Sequence, residues 1–499
     1  MAADGVDEHA MLDQELRFVG ASEIRYPVNL RQPALMVGSL GTHLVWSVLN
    51  GHAALFLQRL GIPRSLTALV LMVAPLSGLV VQPLIGLFSD SCMSSWGRRR
   101  PYLFFGGAGC VASLVCMATA SALATGGYIT LPARLLGITS IVGVDISLNI
   151  SASLLTVAAA HRALATDLLP VGEQDNVNAW GTRLGGVGSV LGYVLGRMDL
   201  RGALLSDQLV VLAVAASVGI VVTHAPLLLV RETHLVTRDE IIPTPFGVVR
   251  SLLDTLHVLP KSITDLFAIQ FFAWLAWFPV LFYSAAWVAD MYRAGHSDGE
   301  AAARAGSEAM LAFACASLVT SAALPPLLRR ARSLRNSNRP TLAEAWMLSH
   351  VLFGVTLLFG SCPVYAARSV GGATALLGVL GISWAMTNWA PFGLLGMLLH
   401  TEHTSENSIS LDGESQGGSL RPHVGAVFGL HNWSVVVPQL VVSLVTSAGT
   451  WSLTSIRAAT TCDGGASCER VRQHWSRVQI GESVHTCSCS AHVALGARI

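Results

Sequence analysis

Two apolar runs meet head to tail across QPLIGLFSDSCMSSWGRRRP, residues 82–101, and no water-soluble fold hides both. The first run starts at Leu66 and the second at Pro101; between them lie Ser89, Asp90 and three consecutive arginines, Arg98, Arg99 and Arg100. Segments of about 20 apolar residues cross a bilayer as helices, because a helix satisfies its own backbone hydrogen bonds in hydrocarbon. The stretch therefore predicts a helix hairpin with a charged elbow. Arginine beside the end of a span is retained in the cytoplasm, which orients the elbow and everything after it.

The same reasoning extends over the chain. Windows of span length give apolar runs at 33–57, 66–88, 101–124, 133–160, 178–197, 208–230, 264–288, 308–328, 344–360, 371–399 and 423–447. Only 12% of residues are charged, against about 25% in soluble domains, and mean hydropathy is +0.56, so the bilayer is the expected solvent. A net charge of +1 offers no field for nucleic acid. Ahead of the first run, Asp4, Asp7, Glu8, Asp13 and Glu15 make a polar start without the basic and short apolar regions of a signal peptide, so the first span is the expected targeting signal. Cys92, Cys110, Cys116, Cys315 and Cys362 fall in or beside spans, where a small buried hydrophobe is the expected role.

Arginines test the count. With the N-terminus inside, the loops after even-numbered spans hold Arg98 to Arg100 and Arg329, Arg330, Arg332, Arg335 and Arg339, while the opposite loops hold Arg134, Arg201, Arg293 and Arg304. Both arginine-rich elbows follow the second span of a half and close on Arg-Pro. Two such halves predict an all-α polytopic membrane protein with its binding site at their interface, near the midplane. The expected organisation is a cytoplasmic tail at 1–32, a six-helix bundle at 33–230, a cytoplasmic linker at 231–262, a second bundle of five recognisable helices at 263–447, and an atypical polar, Cys-containing tail at 448–499 where the last helix is missing or aberrant.

Several polar residues stand inside these runs. Asp145 lies in GITSIVGVDISLNISASLL, and a carboxylate at membrane depth costs about 2.5–3.5 kcal/mol unless it faces a cavity, finds a partner or takes a proton. Proton coupling and helix packing are both open to it. His52 in the first span is a second proton acceptor by its chemistry, or a hydrogen-bonded structural histidine. Trp274, Trp277, Phe278, Tyr283, Trp384 and Trp389 offer rings to the apolar face of a sugar or to neighbouring helices, and Trp277 is singled out because Pro279 beside it marks a helix break. Asn388 and Gln439 either hydrogen-bond a substrate hydroxyl or bridge helices. Asp90 with Arg98, Arg99 and Arg100 reads as a gate as well as a topology signal. There is no phosphate loop, metal-spaced His/Cys set or nucleophile triad within the spans, so no catalytic residues, metal or cofactor are expected.

Five ordered blocks carry a family resemblance. They are LGIPRSLTALVLMVAPLSGLVVQPLIGLFSDSCMSSWGRRRP, then RALATDLLP with NVNAWGTRLGGVGSVLGYVLG, FFAWLAWFPVLFYSAAWVADMY, GISWAMTNWAPFGLL and GLHNWSVVVPQLVVSLV. The chain resembles the sucrose and α-glucoside:proton symporters of the glycoside-pentoside-hexuronide:cation family, fungal type, within the major facilitator superfamily. That resemblance implies two six-helix bundles working by alternating access, a small sugar and a proton as partners, Asp145 as the proton carrier and Arg162 as the sugar contact. It further implies the plasma membrane, with the vacuolar membrane as the alternative, and leaves the oligomeric state open. The chain departs from the pattern at Leu49, where fungal relatives carry an acid, and in the seventeen residues between Asp145 and Arg162, a wider gap than the family's. A transport-incompetent sensor, an interaction protein or a decayed copy is the alternative reading.

Overall fold

The computed structural model describes residues 18–19, 23–90, 92, 94–97, 100–152, 174–200, 207–231, 234–235, 250, 256–257, 259–335, 341–409 and 424–460. Two helices, α1 (Val28–Met36) and α2 (Gly38–Arg59), meet at Val37, which keeps helical dihedrals, so they form one rod. Its far end closes at Gly61, whose φ of +75° is open to glycine at little cost, with Ile62 N–H donating back to Leu57 O at 3.1 Å. Pro63 then starts α3 (Arg64–Leu71), which continues through Met72 into α4 (Val73–Asp90). Next come α5 (Arg100–Thr125), α6 (Leu131–Ala152), α7 (Gln174–Arg197) and α8 (Gln208–His224), the last followed by a 3-10 turn at Ala225–Leu229. The second half is built from α9 (Lys261–Arg293), α10 (Gly299–Arg335), α11 (Thr341–Val355), a π turn at Thr356–Gly360, α12 (Ser361–Ala366), α13 (Val370–Ile409) and α14 (Val424–Thr460).

All eleven expected spans fall on helices in their described parts, the one expected at 208–230 ending in a 3-10 turn and the first residue of a strand. Eight helical segments among the described residues are long and apolar enough to cross a membrane. The other three expected spans fall on α2, α7 and α14, which carry more glycine and polar side chains. Their ends differ from expectation. The span expected at 308–328 runs from Gly299 to Arg335, because Glu300 and Arg304 at one end and Arg335 at the other need not enter hydrocarbon for the helix to continue. The eleventh, expected to stop at 447, continues to Thr460, well into the segment read as a tail, since a helix once nucleated propagates through polar residues.

Each half has its own core. In the first, Val45, Leu57, Leu114, Leu148 and Leu212 are buried together; in the second, Trp277, Phe313, Val288 and Leu380 are. Outward faces present Phe105, Val221, Phe272, Leu358 and Phe359, all exposed, which is the surface a bilayer covers. Among the described residues, strands form two short ladders: β1 (Phe18–Val19) pairs antiparallel with β4 (His234–Leu235), and β2 (Glu23–Ile24) with β3 (Val230–Arg231). Together with the Tyr26 hydroxyl donating to Pro226 O at 2.9 Å, they staple the N-terminal segment to the chain leaving α8, so the two lie at the same end.

Where α7 meets α1 and α2 it contributes mostly glycine. Gly181, Gly185, Gly188, Gly192 and Gly196 recur at intervals of three and four and share one face. A Cβ at Gly185 would stand 2.7 Å from the His43 ring, one at Gly192 would stand 2.6 Å from Ser47 Cβ, and one at Gly188 would run into the backbone carbonyl of Leu40. Small residues at this spacing let two membrane helices approach backbone to backbone.

Candidate functional site

Asp145 lies on α6 and is 2% exposed. At 100° per residue it shares a face with Asn149 and points away from Gly143 and Ser147, which pack against Ser113 and Gly109 of α5. Asn149 donates from Nδ2 to Ser77 Oγ of α4 at 2.7 Å and to the Asp145 backbone carbonyl at 2.9 Å. The α6 backbone and α4 thus fix the Asp145 position without using its carboxylate. Among the described residues, no ion pair reaches that carboxylate. Arg162, the expected partner in sugar binding, lies outside the described residues, as do Arg98 and Arg99. Asp90 is the last residue of α4, and Arg100 opens α5 with its Nη1 donating to Trp96 O at 3.4 Å, which folds the elbow back on itself.

His52 is at the interface of the halves. Its Nε2 is 3.1 Å from Ser307 Oγ on α10, and the space where Gly196 lacks a side chain lies against the same two atoms. Asn50, the residue after the expected acid position at Leu49, buries an Oδ1 with no hydrogen-bond partner, and Tyr193 of α7 sets its hydroxyl against Asn50 and Ser47. Two turns beyond His52 the interface becomes ionic. Asp207, capping α8, accepts from Ser121 Oγ at 2.6 Å, from Thr125 Oγ1 at 2.7 Å and from Leu209 N–H at 3.0 Å, and lies 3.5 Å from Arg59. Burial pushes the Asp207 carboxyl up, but the two hydroxyls, the Arg59 guanidinium and the Leu209 N–H outweigh it and hold it below the usual carboxylate range.

A folded pKa below the unfolded one means that Asp207 stabilises the protein above the ordinary carboxylate range and stops doing so as pH falls through its folded value. The detergent-solubilised protein is accordingly expected to lose thermal stability below about pH 5, and Asp207→Asn to be less stable at neutral pH with the gap closing in acid. A difference between the two melting temperatures that does not change with pH would rule this out.

In the second half, Trp277 is 1% exposed and surrounded by rings: Phe353 at 4.3 Å, Trp384 at 5.0 Å and Phe313 at 6.2 Å between centroids. Its indole N–H donates to Thr387 Oγ1 at 3.1 Å. The residue singled out as a platform is therefore the centre of a core cluster joining α9, α10, α11 and α13. Asn388 donates to Trp384 O at 3.0 Å and Gln439 to Val435 O at 2.9 Å, each one turn back along its own helix, leaving their amide oxygens for another partner. Sequence reasoning passed over Gln270, whose buried Oε1 has no partner, one turn before Trp274, whose buried Nε1 has none either. Their spacing of four on one helix was the available signal. No group of His, Cys, Asp and Glu among the described residues could hold a metal.

Residues 35–169 match the family described as MFS/sugar transport protein, a stretch holding the α3–α4 to α5 elbow and Asp145. The two-half helical architecture matches solved transporters: a D-xylose-proton symporter with TM-score 0.50 and 14% identity, covering 83% of this chain and 89% of that one, and a nucleoside transporter with TM-score 0.50 and 10% identity over 87% and 99%. The fold is that of the major facilitator transporters. Among curated relatives, the chain is 28% identical to a general alpha-glucoside permease of Schizosaccharomyces pombe, over 83% of the chain and 85% of the relative. It is 26% identical to a sucrose transport protein of Oryza sativa subsp. indica over 88% and 91%, and 24% identical to one of Arabidopsis thaliana over 82% of each. The chain is a multi-pass membrane transporter and not an enzyme.

Proposed function

We propose that this transporter carries an α-glucoside, sucrose or maltose, inward across the plasma membrane together with a proton, the two halves alternating access to a site between them. The observation that carries the reading is Asp145: buried in α6, positioned by Asn149 and Ser77 through groups other than its carboxylate, and without a cation in reach among the described residues. A carboxylate so placed is tolerated at membrane depth when protonated or when a cation arrives, so its charge state is tied to the state of the cycle. In this reading Arg162 holds sugar hydroxyls through its fork of donors, and Asn388, Gln439 and the aromatic wall around Trp277 line the opposite half. His52 passes or accepts a proton at the interface. Asp90 with Arg98, Arg99 and Arg100 gates the elbow end. The proton is the coupling ion and no cofactor takes part. The printed names of the relatives in Schizosaccharomyces pombe and Oryza sativa support the substrate class.

The test is uptake of labelled sucrose and of labelled maltose by transport-deficient cells expressing the chain, at acid and at neutral external pH. Uptake of at least one sugar, faster in acid and abolished by a protonophore, is the expected result. Surface-localised protein that takes up neither sugar would favour the sensor or decayed-carrier alternative.

A further inference from the structure

At the end of the molecule opposite the elbow, two arginines on opposite sides of the interface each lie between a carboxylate of their own half and one of the other. Arg59, the last residue of α2, lies 3.5 Å from Asp207 of its own half and 3.4 Å from Glu300 of the other. Arg304 of α10 lies 3.8 Å from Asp298 of its own half and 3.4 Å from Asp199 of the other. Both own-half carboxylates are fixed by helix backbone: Asp207 accepts Leu209 N–H, and Asp298 Oδ1 accepts the N–H groups of Glu300 and Ala301 at 2.9 and 3.1 Å. A carboxylate anchored by capping keeps its arginine in place whether or not the other half is near. Glu300 and Asp199 are the members whose distance to the arginine changes when the halves part.

We propose that Arg59 and Arg304 form a reciprocal latch that closes this end of the pathway, and that release of Glu300 and Asp199 is the step that lets sugar enter from this side. The proposal rests on the reading of the chain as an alternating-access carrier. It also accounts for what lies beneath the latch, where Ser307 is wholly buried and meets His52, so that the first layer inside is already sealed. Among the described residues two other pairs cross the interface here, Arg64–Asp290 at 2.5 Å and Arg197–Glu308 at 3.6 Å, but their arginines are 61% and 56% exposed against 34% for Arg59 and 18% for Arg304. Solvent and salt screen such rim pairs, so the two inner arginines carry the closure.

The latch predicts a state-dependent accessibility. In cells expressing the full chain with Ser307→Cys, a membrane-impermeant maleimide added outside labels Cys at that position only when this end opens, and mass spectrometry reads it on its own peptide regardless of the native cysteines. Adding Glu300→Gln and Asp199→Asn together is expected to raise the labelling rate about tenfold, the shift that two partly buried pairs can exert on an open–closed equilibrium. Arg304→Ala, which removes the same contact from the other partner, is expected to raise it in the same direction. Glu308→Gln at the rim should leave it within about twofold. An unchanged rate in both the double variant and Arg304→Ala, or an equal rise with Glu308→Gln, would overturn the latch. Labelling requires no sugar, so a failure to transport either sugar bears on the proposed function alone.

Discussion

Asp145→Asn is expected to uncouple sugar movement from the proton gradient, cutting accumulation against a gradient by at least about tenfold while exchange of internal for external sugar continues and no longer responds to external pH. The expectation follows from what the substitution leaves alone. Asparagine keeps the shape of the side chain, and the bonds that place this turn of α6 run through Asn149 to Ser77 and to a backbone carbonyl, so neither the turn nor its packing depends on the acid. What disappears is the ability to take up a proton at a depth where an unpaired charge costs about 2.5–3.5 kcal/mol. A carrier that no longer exchanges that proton loses the link by which the gradient biases its cycle, and it equilibrates sugar instead of concentrating it. Accumulation that stays pH-dependent in Asp145→Asn would remove this residue from the coupling mechanism and shift attention to His52 at the interface.

Gly188→Leu is expected to prevent assembly of the first half. Even a Cβ at this position meets the backbone carbonyl of Leu40, and a backbone cannot swing aside as a flexible side chain does. Overpacking in a well-packed interior costs roughly 1–3 kcal/mol where side chains can give, and here the obstruction is on the main chain, so the loss should exceed that range. Size-exclusion chromatography of a fluorescent fusion should show the monodisperse peak gone for Gly188→Leu and much reduced for Gly188→Ala. Gly354→Ala and Gly371→Ala are the matched controls, because a Cβ at either meets nothing within 4 Å. A normal peak for Gly188→Leu would mean that α2 and α7 can separate at no cost.

The helices were legible because membrane depth writes their length into the chain, and Asp145 was legible because a carboxylate inside an apolar run is conspicuous. The helix ends were less so: Glu300 and Arg304 make the first turns of α10 look like loop, though they are helical and carry the interface ion pairs. Trp277 shows a different limit. Its neighbour Pro279 suggested a break at a binding site, but the helical face decides which way an indole turns, and this face turns into the ring cluster of Phe353 and Trp384. The glycines of α7 lay inside a block that carries the family resemblance, yet glycine adds nothing to an apolar pattern and only its spacing speaks. The arginine latch could not be read at all, since Arg59 and Glu300 are 241 positions apart and neither belongs to a recognisable motif.

The bare face of α7 has a mechanical meaning. Interdigitated side chains can repack and let neighbouring helices slide or roll; main chain resting on main chain has a single seating. The rod of α1 and α2 and the rod of α7 must then travel as one lever. That lever also bears on the other half, through Gly186 against Leu318, where a Cβ would come within 2.7 Å, and through Gly196 against Ser307. A tilt of α10 therefore bears, through these two contacts, on the lever that holds His52 and Arg59.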